Sequence, residues 1–284
     1  MAAYLIDESD IAGLESFRTH LEDYPTLING FLKNLGLMSL QDSGDQAMIN
    51  VASRARRDIT LWPDTAKKLR QFHQDATSFI SDANELVTQL KLYKRPDDTD
   101  SIRENLNTLS LHAEPFNMNG KLGISASSNT YDVTYVLSEK LNNFDNLLYN
   151  AVQDMQLIQQ SVADIIPRTI DFMKVKISEH ESRHRKPDST LPEPVRKQLE
   201  AANNSLESSK TEYSTAIEAA NNLHAYCNQV RELLSDARSN LLRISDKSNV
   251  RSFLLQINLM GSRVTEAQGL INRARDLIWN SVRT

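Results

Sequence analysis

The fold is decided by residues 45–93, which read DQAMINVASRARRDITLWPDTAKKLRQFHQDATSFISDANELVTQLKLY. Apolar side chains recur through this stretch at steps of three or four residues: Met48, Val51, Ala55, Ile59, Trp62, Ala66, Leu69, Phe72, Ala76, Phe79, Ala83, Leu86, Leu90 and Tyr93. This spacing places them on one face of a helix. At 1.5 Å per residue, a helix of this length is about 70 Å long.

The rest of the chain repeats the same pattern. Residues 131–186 and 194–245 carry apolar stripes of similar length, and shorter stripes cover 8–35 and the chain after the polar break that follows Ile244. Because short connections join antiparallel neighbours, the sequence predicts an all-α fold. We expect an elongated antiparallel helical bundle of about five helices, three of them very long.

The predicted bundle has one interruption. Residues 96–130 contain two prolines, two glycines and a cluster of serine, asparagine and threonine, a composition typical of loops. We therefore expect 1–284 to form a single elongated helical-bundle domain with an irregular loop insertion at about 96–130.

Capping residues and prolines predict where the helices begin and bend. Asp7 or Ser9 is placed to cap the first helix, and Ser43 to cap the second. Pro63 is expected to bend the second helix without ending its stripe, and Pro167 to kink the third.

Composition limits the function. A net charge of −5 and a pI near 5.7 provide no general attraction for nucleic-acid phosphates. The local cluster Arg54, Arg56 and Arg57 is interpreted as a solvated helix face.

Cys227 is the single cysteine, so no intrachain disulfide forms, and its place on an apolar stripe predicts a small buried side chain. The first residues lack the pattern of a classical signal peptide, and no run of 18 apolar residues predicts a transmembrane helix.

One string matches a catalytic motif. Residues 180–184 read HESRH, which fits H-E-x-x-H, the spacing that puts two zinc-binding imidazoles on one helical face beside a glutamate base. Its polar, charged flanks at a helix end lack the dry pocket and third ligand that a catalytic zinc needs. We therefore expect no metal site and interpret the string as a solvated helix end, with His180, Glu181 and His184 as a weak metal-site candidate.

No other pattern predicts an enzyme. The remaining histidines are scattered singly, and the sequence contains neither a glycine-rich phosphate loop nor G-x-S-x-G. The aromatic residues follow the core stripes and do not suggest a base-stacking platform. We expect no enzymatic activity, no cofactor and no nucleic-acid partner.

The layout of five helices, ordered short, long, long, long and short, resembles the tail bundle of the cytolysin A group of α-helical pore-forming toxins. This group includes the binary xenorhabdolysin type, and tripartite bacterial toxins share the fold. The resemblance implies a toxin component that is secreted without a classical signal peptide. It also implies homologous helical toxin subunits and the target-cell membrane as partners, and an oligomer as the active, haemolytic form.

The chain departs from that group at one position. In the group, a head inserted between the third and fourth long helices meets the membrane. Here that position holds a short apolar segment followed by a charged, proline-containing turn, and no extended hydrophobic tongue. The departure suits a component that assists a membrane-inserting partner.

Two groups of residues are candidates for membrane or partner contact. The densest apolar cluster adjoins Pro167 and consists of Ile165, Ile166, Ile170, Phe172, Met173 and Val175. The alternative lies in the loop insertion and consists of Leu111, Phe116, Met118, Leu122 and Ile124.

A second class of function remains open, namely a non-enzymatic cytoplasmic coiled-coil adaptor or assembly protein. A curved-membrane binder of the BAR type ranks lower, because it needs a basic concave face to attract anionic lipid. The acidic chain offers only local basic patches.

Overall fold

The computed structural model describes residues 6–91, 122, 124, 130–185, 191–244 and 250–280. These residues form seven helices: α1 Glu8–Asn34, α2 Leu40–Ser43, α3 Gln46–Asp58, α4 Leu61–Lys91, α5 Thr130–His184, α6 Glu193–Leu242 and α7 Val250–Asn280. No strand occurs among them. The predicted all-α helical bundle is confirmed.

Local chemistry sets both ends of α1, and Asp7 is its cap, one of the two candidates that the sequence predicts. The Asp7 carboxylate accepts hydrogen bonds from the backbone N–H groups of Ser9 and Asp10, and the Asp10 carboxylate accepts one from the backbone N–H of Asp7, which forms a capping box. Beyond the other end, Gly36 has a φ of 65°, a left-handed conformation that glycine adopts without steric cost. Pro25 lies inside the helix without ending it.

The second predicted helix differs from the structure in two ways. It is divided into α3 and α4, because Pro63 has no N–H and its ring would clash with a carbonyl one turn earlier. Helix α4 begins at Leu61, so Pro63 lies in its first turn, where proline is tolerated. The cap of α3 is Asp45, which accepts from the N–H of Met48, and the predicted Ser43 instead ends the short helix α2.

The chain separates into two compact units, each with its own core. Among the described residues, the first contains 67–91, 122, 124, 130–152, 225–244 and 250–280, and the second contains 6–66, 153–185 and 191–224. Helices α4, α5 and α6 contribute residues to both. The single domain of 1–284 stays a prediction.

In the first unit, α4 and α7 run antiparallel. Asn84 bonds to Gln268 at 3.2 Å, while Val87 lies beside Gly261, earlier on α7. A Cβ at Gly261 would lie 2.8 Å from a Val87 methyl, so only glycine allows the two helices to approach this closely. The core also contains the rings of Phe72 and Phe79, each within 6.0 Å of Phe144.

In the second unit, α5 and α6 run antiparallel. Gln159 bonds to Asn221 at 2.8 Å, and Met173 accepts from Ser209 at 3.8 Å. Helix α1 also runs antiparallel to α6, with bonds from Asn222 to Asp10 at 2.8 Å and from Ser16 to Glu212 at 2.9 Å. Between those two bonds, Gly13 lies against Thr215 and Ala219.

Candidate functional site

The predicted contact segment lies on α5 in the second unit, and most of it belongs to the core. Ile165, Ile166 and Met173 are fully buried and Ile170 is nearly so. Phe172 is half-buried, and Val175 is 53% exposed. In this conformation only the last two present apolar surface. Contact of the other four with lipid or a partner requires the helix to leave its neighbours and stays a prediction.

Polar bonds tie this segment to α1. The Tyr24 hydroxyl lies 2.7 Å from Oγ1 of Thr169, and Thr169 donates to the Ile165 carbonyl oxygen at 2.7 Å. Burial raises the pKa of Tyr24 to about 12, so the phenol keeps its proton. Because Thr169 gives its own proton to the Ile165 carbonyl oxygen, the phenol is the donor to Thr169. The rings of Phe31 and Phe172 lie 6.4 Å apart farther along the same two helices.

An ion pair also links the start of the segment to α3. Arg54 bonds to Asp164, which precedes the apolar cluster, and also to Asp58 at 3.2 Å. Asp58 is buried and receives a further ion pair from Arg57 at 3.0 Å. The prediction of a merely solvated basic face is therefore wrong for Arg54, which bridges two helices, while Arg57 remains largely exposed.

The alternative contact loop is described at two of its five residues. Leu122 and Ile124 are buried in the first unit. Leu122 lines a cavity of about 400 Å³ with Phe79, Phe144 and Leu147. Leu111, Phe116 and Met118 lie outside the described residues.

The H-E-x-x-H string ends α5, and its histidines differ from the sequence interpretation. His180 is buried, with 5% of its surface exposed, and His184 is exposed. The ring centroids lie 4.5 Å apart, and Nε2 of His180 lies 3.1 Å from the Gln198 amide oxygen on α6. The prediction of a solvated helix end is wrong for His180, because the first turns of α6 cover it.

The charged neighbours of the two histidines pair along the helix surface. Glu181 lies 3.6 Å from Arg185, and Glu179 lies 3.6 Å from Arg183. The described part of the chain holds no cluster of three or more histidine, cysteine, aspartate or glutamate side chains arranged around a metal position. A zinc-hydrolase centre of three protein ligands is therefore not assembled by these residues.

Another histidine makes a buried contact that sequence reasoning did not identify. In the first unit, Nε2 of His73 lies 2.6 Å from the Tyr226 hydroxyl, and both side chains are buried. Desolvation, assisted by the charge of Arg275, lowers the pKa of His73 to about 3. Burial likewise raises the pKa of Tyr226, so neither group carries a charge at neutral pH.

No helix among the described residues combines the length and the apolar character needed to cross a bilayer.

Three solved structures match this architecture over nearly their whole length. XaxA from Xenorhabdus nematophila has a TM-score of 0.57 at 11% identity, covering 99% of each chain. YaxA from Yersinia enterocolitica has a TM-score of 0.62 at 12% identity, covering 97% of this chain and 98% of the other. The chain has the XaxA and YaxA fold. A chain of the XaxAB pore complex from Xenorhabdus nematophila matches at a TM-score of 0.63 and 11% identity, covering 99% of each chain.

The predicted resemblance to the xenorhabdolysin type is thus confirmed at the level of the fold. No protein-family model matches the sequence. No curated protein matches it either.

Proposed function

We propose that this chain is a component of a bacterial α-helical pore-forming cytotoxin. It acts outside the producing cell and remains soluble until it assembles with subunits of similar fold on a target membrane. It works by assembly and not by catalysis. The observation that carries the proposal is the near-complete, mutual coverage of this chain and the XaxAB pore-complex chain. A match restricted to one helical hairpin would support any coiled-coil protein equally well.

The direct test is a lysis assay. The purified chain is added to erythrocytes alone and together with a candidate partner, chosen as a helical protein with a long apolar hairpin encoded beside it. We expect haemoglobin release only when both are present, and a complex of both in the membrane fraction. Absence of lysis together with absence of a membrane-bound complex would refute the toxin proposal and favour the adaptor.

The contact surface in this proposal is the α5 segment from Ile165 to Val175. Its support is the exposed Val175 beside the half-buried Phe172, because together they extend the buried apolar cluster to the surface. On assembly, the buried members would separate from α1 and face lipid or a partner. Such a step would break the Tyr24–Thr169 bond and expose the Phe31 ring.

Val175→Asp tests this surface without disturbing the core. Since Val175 is 53% exposed, the free energy of unfolding should change by no more than about 0.5 kcal/mol. An aspartate facing lipid costs about 2.5 kcal/mol or more, so lysis should fall by at least roughly tenfold. Circular dichroism melts and haemoglobin release are measured on the same preparation.

Leu157→Asp is the matched control, because Leu157 is 48% exposed on the same helix but outside the segment. It should keep both its melt and its lysis. Full lysis by Val175→Asp, or an equal loss in both variants, would remove the segment from the proposed surface. Ile166→Asp is expected to unfold the protein, because it puts an unpaired charge into the core.

A further inference from the structure

The histidine pair at the end of α5 has no part in the proposed assembly. His180 and His184 are four residues apart, and their ring planes meet at 45° with centroids 4.5 Å apart. Residues at this spacing lie above one another on the same helical face. Two imidazoles held this close are a potential pair of nitrogen ligands for one ion.

Hydrogen bonds determine which nitrogen of each ring is free. Nδ1 of His184 lies 2.9 Å from the backbone carbonyl oxygen of His180, which can only accept, so Nδ1 carries the proton and Nε2 keeps a lone pair. Nε2 of His180 likewise donates to the amide oxygen of Gln198, which leaves the lone pair on Nδ1. Metal-binding histidines show this arrangement, with one N–H fixed by an oxygen and the other nitrogen available.

Glu181 is not a third ligand, since consecutive residues are about 100° apart around a helix and its carboxylate faces Arg185.

We propose that His180 and His184 form a two-imidazole binding site for a divalent transition-metal ion, with water at the remaining coordination positions. Imidazole nitrogens favour zinc, copper and nickel over magnesium and calcium. The bound ion would join the last two turns of α5. Gln198 is a positioning residue in this site, because it fixes the tautomer and orientation of His180 from α6.

The test uses the full chain after treatment with a chelator, with Zn²⁺ alone as the probe. Titration calorimetry at neutral pH should show one ion bound per chain, and Zn²⁺ should raise the melting temperature. His184→Gln is the decisive variant because His184 is exposed, so the fold should survive. This variant should lose both the heat and the shift in melting temperature.

Two further variants test whether Glu181 is a ligand and whether Gln198 positions His180. Glu181→Gln should bind Zn²⁺ as the unchanged chain does, whereas loss of binding would contradict a two-histidine site. Gln198→Leu should weaken binding by roughly tenfold or more, as removal of such a supporting residue typically does. Absence of binding in the unchanged chain, or unchanged binding in His184→Gln, would overturn the proposal.

Discussion

His73 and His180 are both buried histidines, and they show how surroundings give one side chain two chemistries. His73 is fully enclosed, its Nε2 bonds to Tyr226, and its Nδ1 has no partner among the described residues. His180 lies near a helix end, bonds to an amide oxygen and adjoins an exposed second imidazole. Complete enclosure opposes protonation of His73, so the stability of the fold depends on pH. Partial cover leaves His180 able to bind a ligand.

The most direct way to test this difference is acidification. The pKa of His73 falls to about 3 when the protein folds, and that of His20, enclosed in the other unit, to about 4. Below the unfolded value near 6.5, the unfolded chain takes up protons that the folded chain does not, so stability decreases as the pH falls. Between pH 7 and 5 we expect each histidine to remove about 2 kcal/mol of unfolding free energy.

Urea unfolding at several pH values measures this effect, with His73→Gln as the comparison because glutamine does not titrate. In that variant the unfolding free energy should depend less steeply on pH, because the unfolded chain takes up one proton fewer than before. Asp10 and Glu212 have pKa values raised by burial, so they act in the opposite direction near their own titration range. An unchanged slope in His73→Gln would show that His73 is not the sensitive group.

Removal of the Tyr226 hydroxyl should have the next largest effect. Tyr226 keeps its proton, and the tautomer in which it donates to Nε2 of His73 leaves fewer groups unpaired than the alternative. Tyr226→Phe leaves the buried Nε2 without a donor, which should cost about 1–3 kcal/mol of unfolding free energy. Chemical unfolding at neutral pH measures it, and a neutral result would mean that the short contact contributes nothing.

The smallest effects are expected at the end of α5. His180→Ala removes a buried ring and its bond to Gln198, for which we expect about 1 kcal/mol. His184→Ala, at an exposed position, should stay within about 0.5 kcal/mol. Thermal melts without metal compare the two, and equal losses would contradict the burial of His180 as the cause.

The helices could be predicted from sequence because their information is local. The apolar steps of three and four residues and the Asp7 cap each depend on neighbours within a few residues. The division at Ile59 does not follow from the apolar stripe, because the stripe continues across the break and only Pro63 marks it. Ser43 and Asp45 are both good caps, and the choice between them depends on how the short helix α2 folds.

The site could not be predicted to the same depth, because its contacts join distant parts of the chain. Tyr24 and Thr169 are 145 residues apart, and no periodicity relates them. The burial of His180 depends on where the first turns of α6 lie, which the charged residues around the H-E-x-x-H string did not indicate. The apolar cluster from Ile165 to Val175 was identified, but its division into buried and exposed members depends on α1 and α6.

Cys227 makes the chain well suited to site-specific labelling. It is the single cysteine of the sequence, its thiol is fully buried, and burial raises its pKa to about 12. A thiol reagent at neutral pH therefore meets almost no native thiolate. A cysteine placed at the exposed Val175 position would carry an environment-sensitive fluorophore on its own, without any need to remove Cys227. The emission of that one dye could then report when this part of α5 leaves water.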